Sequence, residues 1–386
     1  MKIFHTADWH LGKVLQGVSL IDEQRFVLEQ FIAAVRTEKP DAVIIAGDLY
    51  DRSVPPADAV SLLDEVLWTL TVDCSTPVLA ISGNHDSPAR LQFGSRLMQS
   101  TGLHIAGRLG GDGSCTEVEL MDEHGPVVFH LIPFADPSIV RNALQDEAVA
   151  SHQQAMEAVI RKIGFWDASA RHIAVAHAFV TPHGDPEENT SDSERPLSIG
   201  GTEYVAAELF GRFSYTALGH LHQAHPIGTE TIRYAGSPMK YSISEESHKK
   251  GFLVVELDAE GSVTVDKRPL QQKRDIRTVE ALMEDLLKME RSDDYVFVRL
   301  LDQTPVLSPM EKVRSVFPNA MHVERVVSRG PAGSGDNRVP DLEQLDDRAL
   351  FRAFYEEMTG NEPDKETESI MDEALQELLI GKEGSR

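Results

Sequence analysis

The chain has 386 residues, is 41% hydrophobic and carries a formal net charge of −25, which fits a main domain with appendages and a sizeable core. That acidity counts against tight nucleic-acid binding by this chain alone, although a metal site needs carboxylates and turns positive once loaded, and a partner subunit can supply a basic surface. Two cysteines, Cys74 and Cys115, exclude a disulfide framework and lie at no metal spacing; with Met1 opening straight onto a strand and no long apolar run, the expectation is a soluble, cytoplasmic protein with reduced, mostly buried thiols.

Residues 2–7, 42–46 and 78–82 read as strands. They are separated by Val27, Phe31, Ile32 and Val35 at helical spacing, and then by Val60, Leu63, Leu67 and Leu70. Strands alternating with helices imply βαβ units and a mainly parallel sheet, in which ligands bind beyond the carboxyl ends of the strands. Each strand runs into residues of ligand type: Asp8-Trp9-His10, Gly47-Asp48 and Gly83-Asn84-His85-Asp86. Side chains alternate along a strand, so Asp8 and His10 are expected to leave one face and grip one ion. Carboxylate, imidazole and amide donors without a thiolate suit manganese or iron, with zinc as an alternative. A D-x-H pair alone is weak evidence and reads more readily as a capped loop with a surface histidine. Three such clusters in order, each after a strand, are much harder to obtain by chance.

Beyond Asp86 the α/β pattern continues. Residues 127–132 read as a buried strand, 138–163 as one long helix with a stripe of Met156, Val159, Ile160 and Ile163, and 172–176 as a strand that delivers His177. Residues 181–201, rich in Pro, Gly, Asp, Glu and Ser without periodicity, read as a mobile, exposed loop. A short strand at 215–218 ends in Gly219-His220-Leu221-His222, and the same alternation is expected to point His220 and His222 one way. Strands at 232–235 and 252–257 complete the set. Of fifteen histidines, His177, His220 and His222 stand apart because each follows a strand end. His5, His104, His130, His172 and His248 are expected to be structural or merely exposed.

Taken together, Asp8-x-His10, Gly47-Asp48, Gly83-Asn84-His85-Asp86, His177 and Gly219-His220-x-His222 resemble the calcineurin-like metallophosphoesterase superfamily. Within it, the stretches HTADWHLG, AGDLYDRSVPP, SGNHDSPARL, GHLHQAHPI and YAGSPMKYSISE resemble the SbcD family, the nuclease subunits of bacterial SbcCD complexes, over roughly the first two-thirds of the chain. The resemblance implies an α/β fold, a β-sandwich flanked by helices, over residues 1–274. It implies one metal site from Asp8, His10, Asp48 and His222, and a second from Asp48, Asn84, His177 and His220. Asp48 would bridge two divalent ions, manganese first. His85 would be catalytic, stabilising the transition state or protonating the leaving oxygen, against the plainer reading of an orienting neighbour. Asp86 is expected to orient His85 or cap the next helix. Archaeal members carry a histidine three residues after the G-D motif, where this chain has Asp51. The implied activity is that of a DNA exonuclease and endonuclease in end and hairpin processing, repair and recombination. A phosphatase or cyclic-nucleotide phosphodiesterase of the same superfamily is the alternative enzyme, and a regulator without catalysis the non-enzyme alternative.

From residue 275 the pattern changes. Residues 278–289 read as a helix with Val279, Leu282, Leu286 and Met289 on one side, 295–301 as a strand, 309–317 as a helix and 320–327 as a strand. This small α+β module, 275–328, resembles the family's capping domain. Residues 329–340 are dense in Gly, Pro, Ser and Asn, a flexible linker by composition. In 341–386, Leu342, Leu345, Phe351, Phe354, Tyr355 and Met358 mark one amphipathic helix, and Ile370, Met371, Ala374, Leu375, Leu378 and Leu379 a second. The segment holds 14 Asp and Glu against 5 Lys and Arg, net −9, a poor DNA contact. Its helices either fold back on the body or dock on a partner. The resemblance implies docking, with an SbcC-type coiled-coil ATPase subunit as partner, DNA as substrate, and a homodimer of this chain within a heterotetramer.

Overall fold

The structure, a computed structural model, describes residues 1–163, 166–167, 169–184, 203–326, 347–359 and 362–383. The chain divides into two units, Met1–Asp275 and Ile276–Arg386.

The first unit is built on two six-stranded sheets. In the first sheet the order is Val263–Pro269, Gly251–Leu257, Lys2–Thr6, Ala42–Ala46, Val78–Ile81 and Leu103–Ala106. The last four run parallel and the first two antiparallel. In the second the order is His225–Ile227, Thr229–Tyr234, Tyr215–Gly219, Arg171–His177, Gly125–Ile132 and Thr116–Asp122. Its four central strands are parallel and its edges antiparallel. The continuous apolar runs, such as the fully buried Ala42–Ala46, are what parallel strands covered on both faces require.

Between the sheets lies one core, in which Ile3, Ile44, Leu79 and Ile81 meet Phe129, Val175, Tyr215 and Ala217. The helix Ile21–Glu38 covers the outer face of the first sheet, where the Phe31 ring lies 6.1 Å from Phe4 and 5.0 Å from Phe252. On the outer face of the second, Val140, Val159 and Ile160 pack with Ala174, Ala176 and Leu218. The result is the expected β-sandwich flanked by helices, with the carboxyl ends of the parallel strands gathered at one seam.

The expected long helix at 138–163 is two helices, Pro137–Leu144 and His152–Lys162. Gln145 turns into the left-handed region and ends the first. Ser151 and Gln154 form a capping box that starts the second, a start signal that the run of apolar residues masks. The sequence pattern also passes over the strands Leu103–Ala106, Thr116–Asp122, His225–Ile227 and Val263–Pro269.

In the second unit the expected helix at 278–289 is instead a strand, Ile276–Ala281, followed by a single turn, Met283–Leu286. The β-branched Ile276, Thr278 and Val279 pair in parallel with Tyr295–Leu300, while Leu282 and Met289 stand well exposed rather than forming a buried stripe. The strand His322–Arg325 completes a three-stranded parallel sheet, and the helix Pro309–Val316 shares its core through Val313. The helices Asp347–Thr359 and Lys365–Glu383 form a pair joined by Arg348 with Asp372 and Arg352 with Glu368. The linker expected at 329–340, Leu342, Leu345 and most of the loop expected at 181–201 lie outside the described residues, as do the side chains of Met358, Leu375, Leu378 and Leu379. No helix among the described residues is long and apolar enough to cross a membrane.

One side chain laces the two sheets. Buried Arg171 donates to Asp122 at 3.0 and 2.5 Å, and to the carbonyls of Gly125 and Asp258 at 3.0 and 3.1 Å. The guanidinium holds the Asp122 carboxyl well below the usual carboxylate range. A carboxylate depressed on folding stabilises fully above its unfolded pKa, near 4, and loses that contribution as pH falls toward its folded value. Replacing Asp122 with Asn is therefore expected to cost roughly 2 kcal/mol at pH 7. Urea unfolding should show the gap to wild type narrowing by about 1 kcal/mol at pH 3, whereas a gap independent of pH would remove the charged pair from the account.

Candidate metal centre

The strands of both sheets end at one buried seam, and the polar residues that follow them meet there. Lys2–Thr6 leads to Asp8 and His10, Ala42–Ala46 to Asp48, Val78–Ile81 to Asn84 and His85, Arg171–His177 ends in His177, and Tyr215–Gly219 leads to His220 and His222. Asp8, His10, Asp48, His177, His220 and His222 are each no more than 3% exposed.

The alternation expected of Asp8 with His10, and of His220 with His222, does not describe how they arrive. The strands stop at Thr6 and Gly219. Asp8, His10, Asp48 and His220 then take φ of 55°, 44°, 50° and 113°. These positive values turn the chain sharply, and they concentrate where a site over-determines the backbone. The turns are fixed by amides: Asp8 N–H donates to the Gly47 carbonyl at 3.0 Å, His10 N–H to the Asp48 carbonyl at 3.0 Å, and His220 N–H to Asp8 Oδ1 at 2.9 Å. Two glycines make room. A Cβ on Gly47 would lie 2.3 Å from His177 Nδ1, and one on Gly83 would lie 2.1 Å from Asp48 Oδ1.

Two groups of ligand atoms result. Asp8, His10 and His222 bring one atom each within 4.8 Å of one another, as do Asp8, Asp48 and His177. His10 Nε2 lies 3.1 Å from His222 Nε2 and 3.6 Å from Asp48 Oδ2. His177 Nε2 lies 3.5 Å from Asp48 Oδ2 and 2.9 Å from Asn84 Oδ1. The His220 ring centre is 5.4 Å from that of His177. A further group, His10, Asp51 and His85, adjoins them.

Electrostatics fit a cation here. Asp8 Oδ2 and His10 Nδ1 are buried without a hydrogen bond, a cost that a bound ion removes. Burial pushes the Asp8 carboxyl up to about 7. Burial alone would lower His177, but Asp48 and then Asp8 raise it to about 9, so these carboxylates draw positive charge into the seam. Burial would likewise raise Asp48, yet the imidazoles of His177, His10 and His85 hold it well below the carboxylate range. Carboxylate, imidazole and amide donors in this arrangement suit divalent ions.

Residues that the sequence reading passed over hold the donors in place. His222 Nδ1 lies 3.0 Å from Glu245, whose other oxygen is 2.5 Å from Lys250 Nζ. Burial opposes the Glu245 charge, but His222 and Lys250 keep its carboxyl well below the usual range. A carboxylate accepting from Nδ1–H leaves the Nε2 lone pair to face the seam. Gln24 donates to the carbonyls of Trp9 and His10 at 3.0 and 2.7 Å. Tyr241 hydroxyl donates to the Trp9 carbonyl. Only the YSISE stretch hinted at Glu245 and Tyr241.

Asp86 neither orients His85 nor caps the following helix. Its carboxylate accepts from Gly83, Leu49 and Tyr50 amides at 2.9, 3.1 and 2.9 Å, tying the second strand's loop to the third's, while Ser87 stands at the helix N-cap. The Asp51 carbonyl accepts from His85 Nδ1 at 2.8 Å, and its side chain pairs with Lys13 at 3.0 Å.

Comparison with known proteins agrees with this architecture. The family model for calcineurin-like phosphoesterases matches residues 1–224, and one described as the type 5 capsule protein repressor C-terminal domain matches 272–359. A dimetal phosphatase structure from Danio rerio is a distant likeness, 14% identical with a TM-score of 0.41 over 70% of this chain and 97% of that one. A Staphylococcus epidermidis protein that bears the name of the D component of the nuclease SbcCD is 33% identical over 98% of each chain. Its namesake in Staphylococcus saprophyticus is 33% identical over 98% of this chain and 99% of that one. With its metal-type seam at the ends of two packed sheets and full-length relatives of one name, this chain belongs to the calcineurin-like phosphoesterases and, among them, to the SbcD family of nuclease subunits.

Proposed function

We propose that the chain is the nuclease subunit of an SbcCD-type complex, a two-metal phosphodiesterase that cuts DNA as an exonuclease on duplex ends and an endonuclease on single strands. The observation that carries this reading is the buried convergence of Asp8, His10, Asp48, His177 and His222 at the strand ends, in a chain whose full-length relatives are named nuclease subunits. One ion would be held by Asp8, His10, Asp48 and His222 and the other by Asp48, Asn84, His177 and His220, with Asp48 common to both sets. Manganese is the expected metal. Bound there, divalent cations offset the charge that develops on the phosphoryl oxygens and make a water nucleophilic at neutral pH.

The chain's own residues supply the rest. Glu245 fixes the His222 tautomer, and the Ala46 carbonyl, 2.9 Å from His177 Nδ1, does the same for His177. Hydrolysis breaks one phosphorus–oxygen ester bond, and the departing oxygen needs a proton. Because the Asp51 carbonyl can only accept, His85 carries a proton on Nδ1 and turns Nε2 toward the site, 4.0 Å from Asp48 Oδ2. A protonated Nε2 is the donor that the leaving oxygen requires.

The partner is an SbcC-type ATPase subunit, docked on the acidic helical pair Asp347–Thr359 and Lys365–Glu383, with two copies of the chain in the assembly. Leu350, Phe354 and Ile370 stand 41%, 60% and 62% exposed on that pair. Apolar side chains on an otherwise charged helix pair mark a docking face.

A variant series tests the chemistry on single-stranded and duplex DNA with manganese. Asp48→Asn should lose metal and all cleavage. His85→Gln should keep metal while turnover falls by roughly 10²–10⁴, and Glu245→Gln should weaken metal binding by about 10–100-fold. Metal loss in His85→Gln would make that residue a ligand and overturn its role. Hydrolysis of p-nitrophenyl phosphate with no cleavage of DNA would favour the phosphatase alternative.

Deleting residues 341–386 should leave cleavage of short single strands intact while abolishing co-purification with the ATPase subunit. Firm retention of that partner by the shortened chain would place the docking face elsewhere.

A further inference from the structure

Outside the seam, one other set of metal-type donors stands together among the described residues: Cys115, Glu117 and His130, each offering an atom within 4.8 Å of the others. The geometry points to a separate cation site of zinc type, built from Cys115 Sγ, a Glu117 carboxylate oxygen and His130 Nδ1, that staples the outer edge of the second sheet. It is independent of the nuclease centre and shares no residue with it.

The hydrogen-bond chain behind His130 fixes which nitrogen is available. His172 Nε2 lies 2.9 Å from the Asp167 carbonyl oxygen. A carbonyl only accepts, so His172 holds its proton there and presents Nδ1 as an acceptor. His130 Nε2, 3.0 Å from that nitrogen, is then the N–H. The lone pair of a neutral His130 is left on Nδ1, on a side chain only 1% exposed and without a hydrogen bond.

That nitrogen faces Glu117 Oε1 at 3.3 Å. Two acceptors at this separation repel unless something positive lies between them. Glu117 and His130 are directly opposed across the antiparallel pair of Thr116–Asp122 with Gly125–Ile132, so the register sets the half-exposed Glu117 side chain beside the buried imidazole. Rings hold His130 in place: His172 and Trp166 stack on it at 5.3 and 5.9 Å, and Arg212 covers Trp166 at 3.7 Å.

The Glu117–His130 spacing is that of two ligands on one ion, and Cys115 stands within 4.8 Å of both. Ligand atoms about 2.0–2.3 Å from a tetrahedral ion stand about 3.3–3.8 Å apart, and the Glu117–His130 separation meets that condition. Cys115 is a free, half-buried thiol. A thiolate beside imidazole and carboxylate selects zinc over the harder manganese or magnesium. Three protein ligands leave the fourth position to water, and binding releases the Cys115 proton to solvent.

Titration of the full chain with cobalt(II) tests the site, because thiolate-to-cobalt charge transfer in the near ultraviolet reports only a cysteine ligand. The band should appear and saturate within three equivalents, because the seam would take up to two ions. Cys115→Ser should abolish it, and His130→Gln should weaken the affinity at least about tenfold. Cys74→Ser and Asp48→Asn should leave it unchanged. Absence of the band from wild type, or its survival in Cys115→Ser, overturns the site. A second measurement needs no variant: zinc should displace cobalt and bleach the charge-transfer band, because thiolate, imidazole and carboxylate favour zinc, and a band that survives excess zinc overturns the site equally.

Discussion

The larger unit is organised around one constraint: carboxylates and imidazoles must be kept out of water a few ångströms apart, with their lone pairs converging. In the absence of a cation such a cluster opposes folding, since burial penalises each charged form and unpaired acceptors face one another. Asp8 Oδ2 and His10 Nδ1 lack hydrogen bonds, and His10 and His222 approach nitrogen to nitrogen at 3.1 Å. The cluster persists because two six-stranded sheets, with a shared core between them, over-determine the seam. Divalent ions convert the same cluster from a liability into a clamp, which couples metal occupancy to stability as well as to chemistry.

Around this seam the protein spends its buried polar groups on orientation. Glu245 with Lys250 sets His222, the Ala46 carbonyl sets His177, Gln24 holds the His10 loop, and Asp86 fastens the Asp48 loop to the Asn84 loop. None of these groups needs to touch a substrate. Glu245 and the Ala46 carbonyl each fix an imidazole tautomer, while Gln24 and Asp86 hold the backbone that carries the donors. On the proposed reading the scissile chemistry is left to His85, whose Nε2 lies 4.0 Å from Asp48 Oδ2.

Much of this was legible in the sequence because a donor that ends a strand is a polar residue in an unusual place. Asp8, Asp48, Asn84, His177 and His220 were readable as such without any knowledge of distance. The backbone geometry was not. Alternation along a strand gave a reason for Asp8 with His10 and for His220 with His222, yet the strands end first and left-handed turns deliver these residues instead. A positive φ leaves no periodic trace in a sequence, only Gly, Asp and His in short loops. Glu245 was illegible for another reason, since it acts from 23 residues beyond its partner. Ser151 and Gln154, which split the expected long helix, carry a local start signal that the surrounding apolar spacing outweighed. The pairing of Ile276–Ala281 with Tyr295–Leu300 overrode a helical period by tertiary contact. Cys115, Glu117 and His130 meet only because two strands fold back in one register.

The central claim, that Asp48 joins two ions at the seam, is tested most directly by diffraction from crystals of the full chain soaked in manganese, with anomalous peaks located at the manganese edge. The account predicts two peaks about 3.5–4 Å apart, with one Asp48 carboxylate contacting both, His10 and His222 on one side and Asn84, His177 and His220 on the other. A single peak, or two peaks of which Asp48 touches only one, would contradict it.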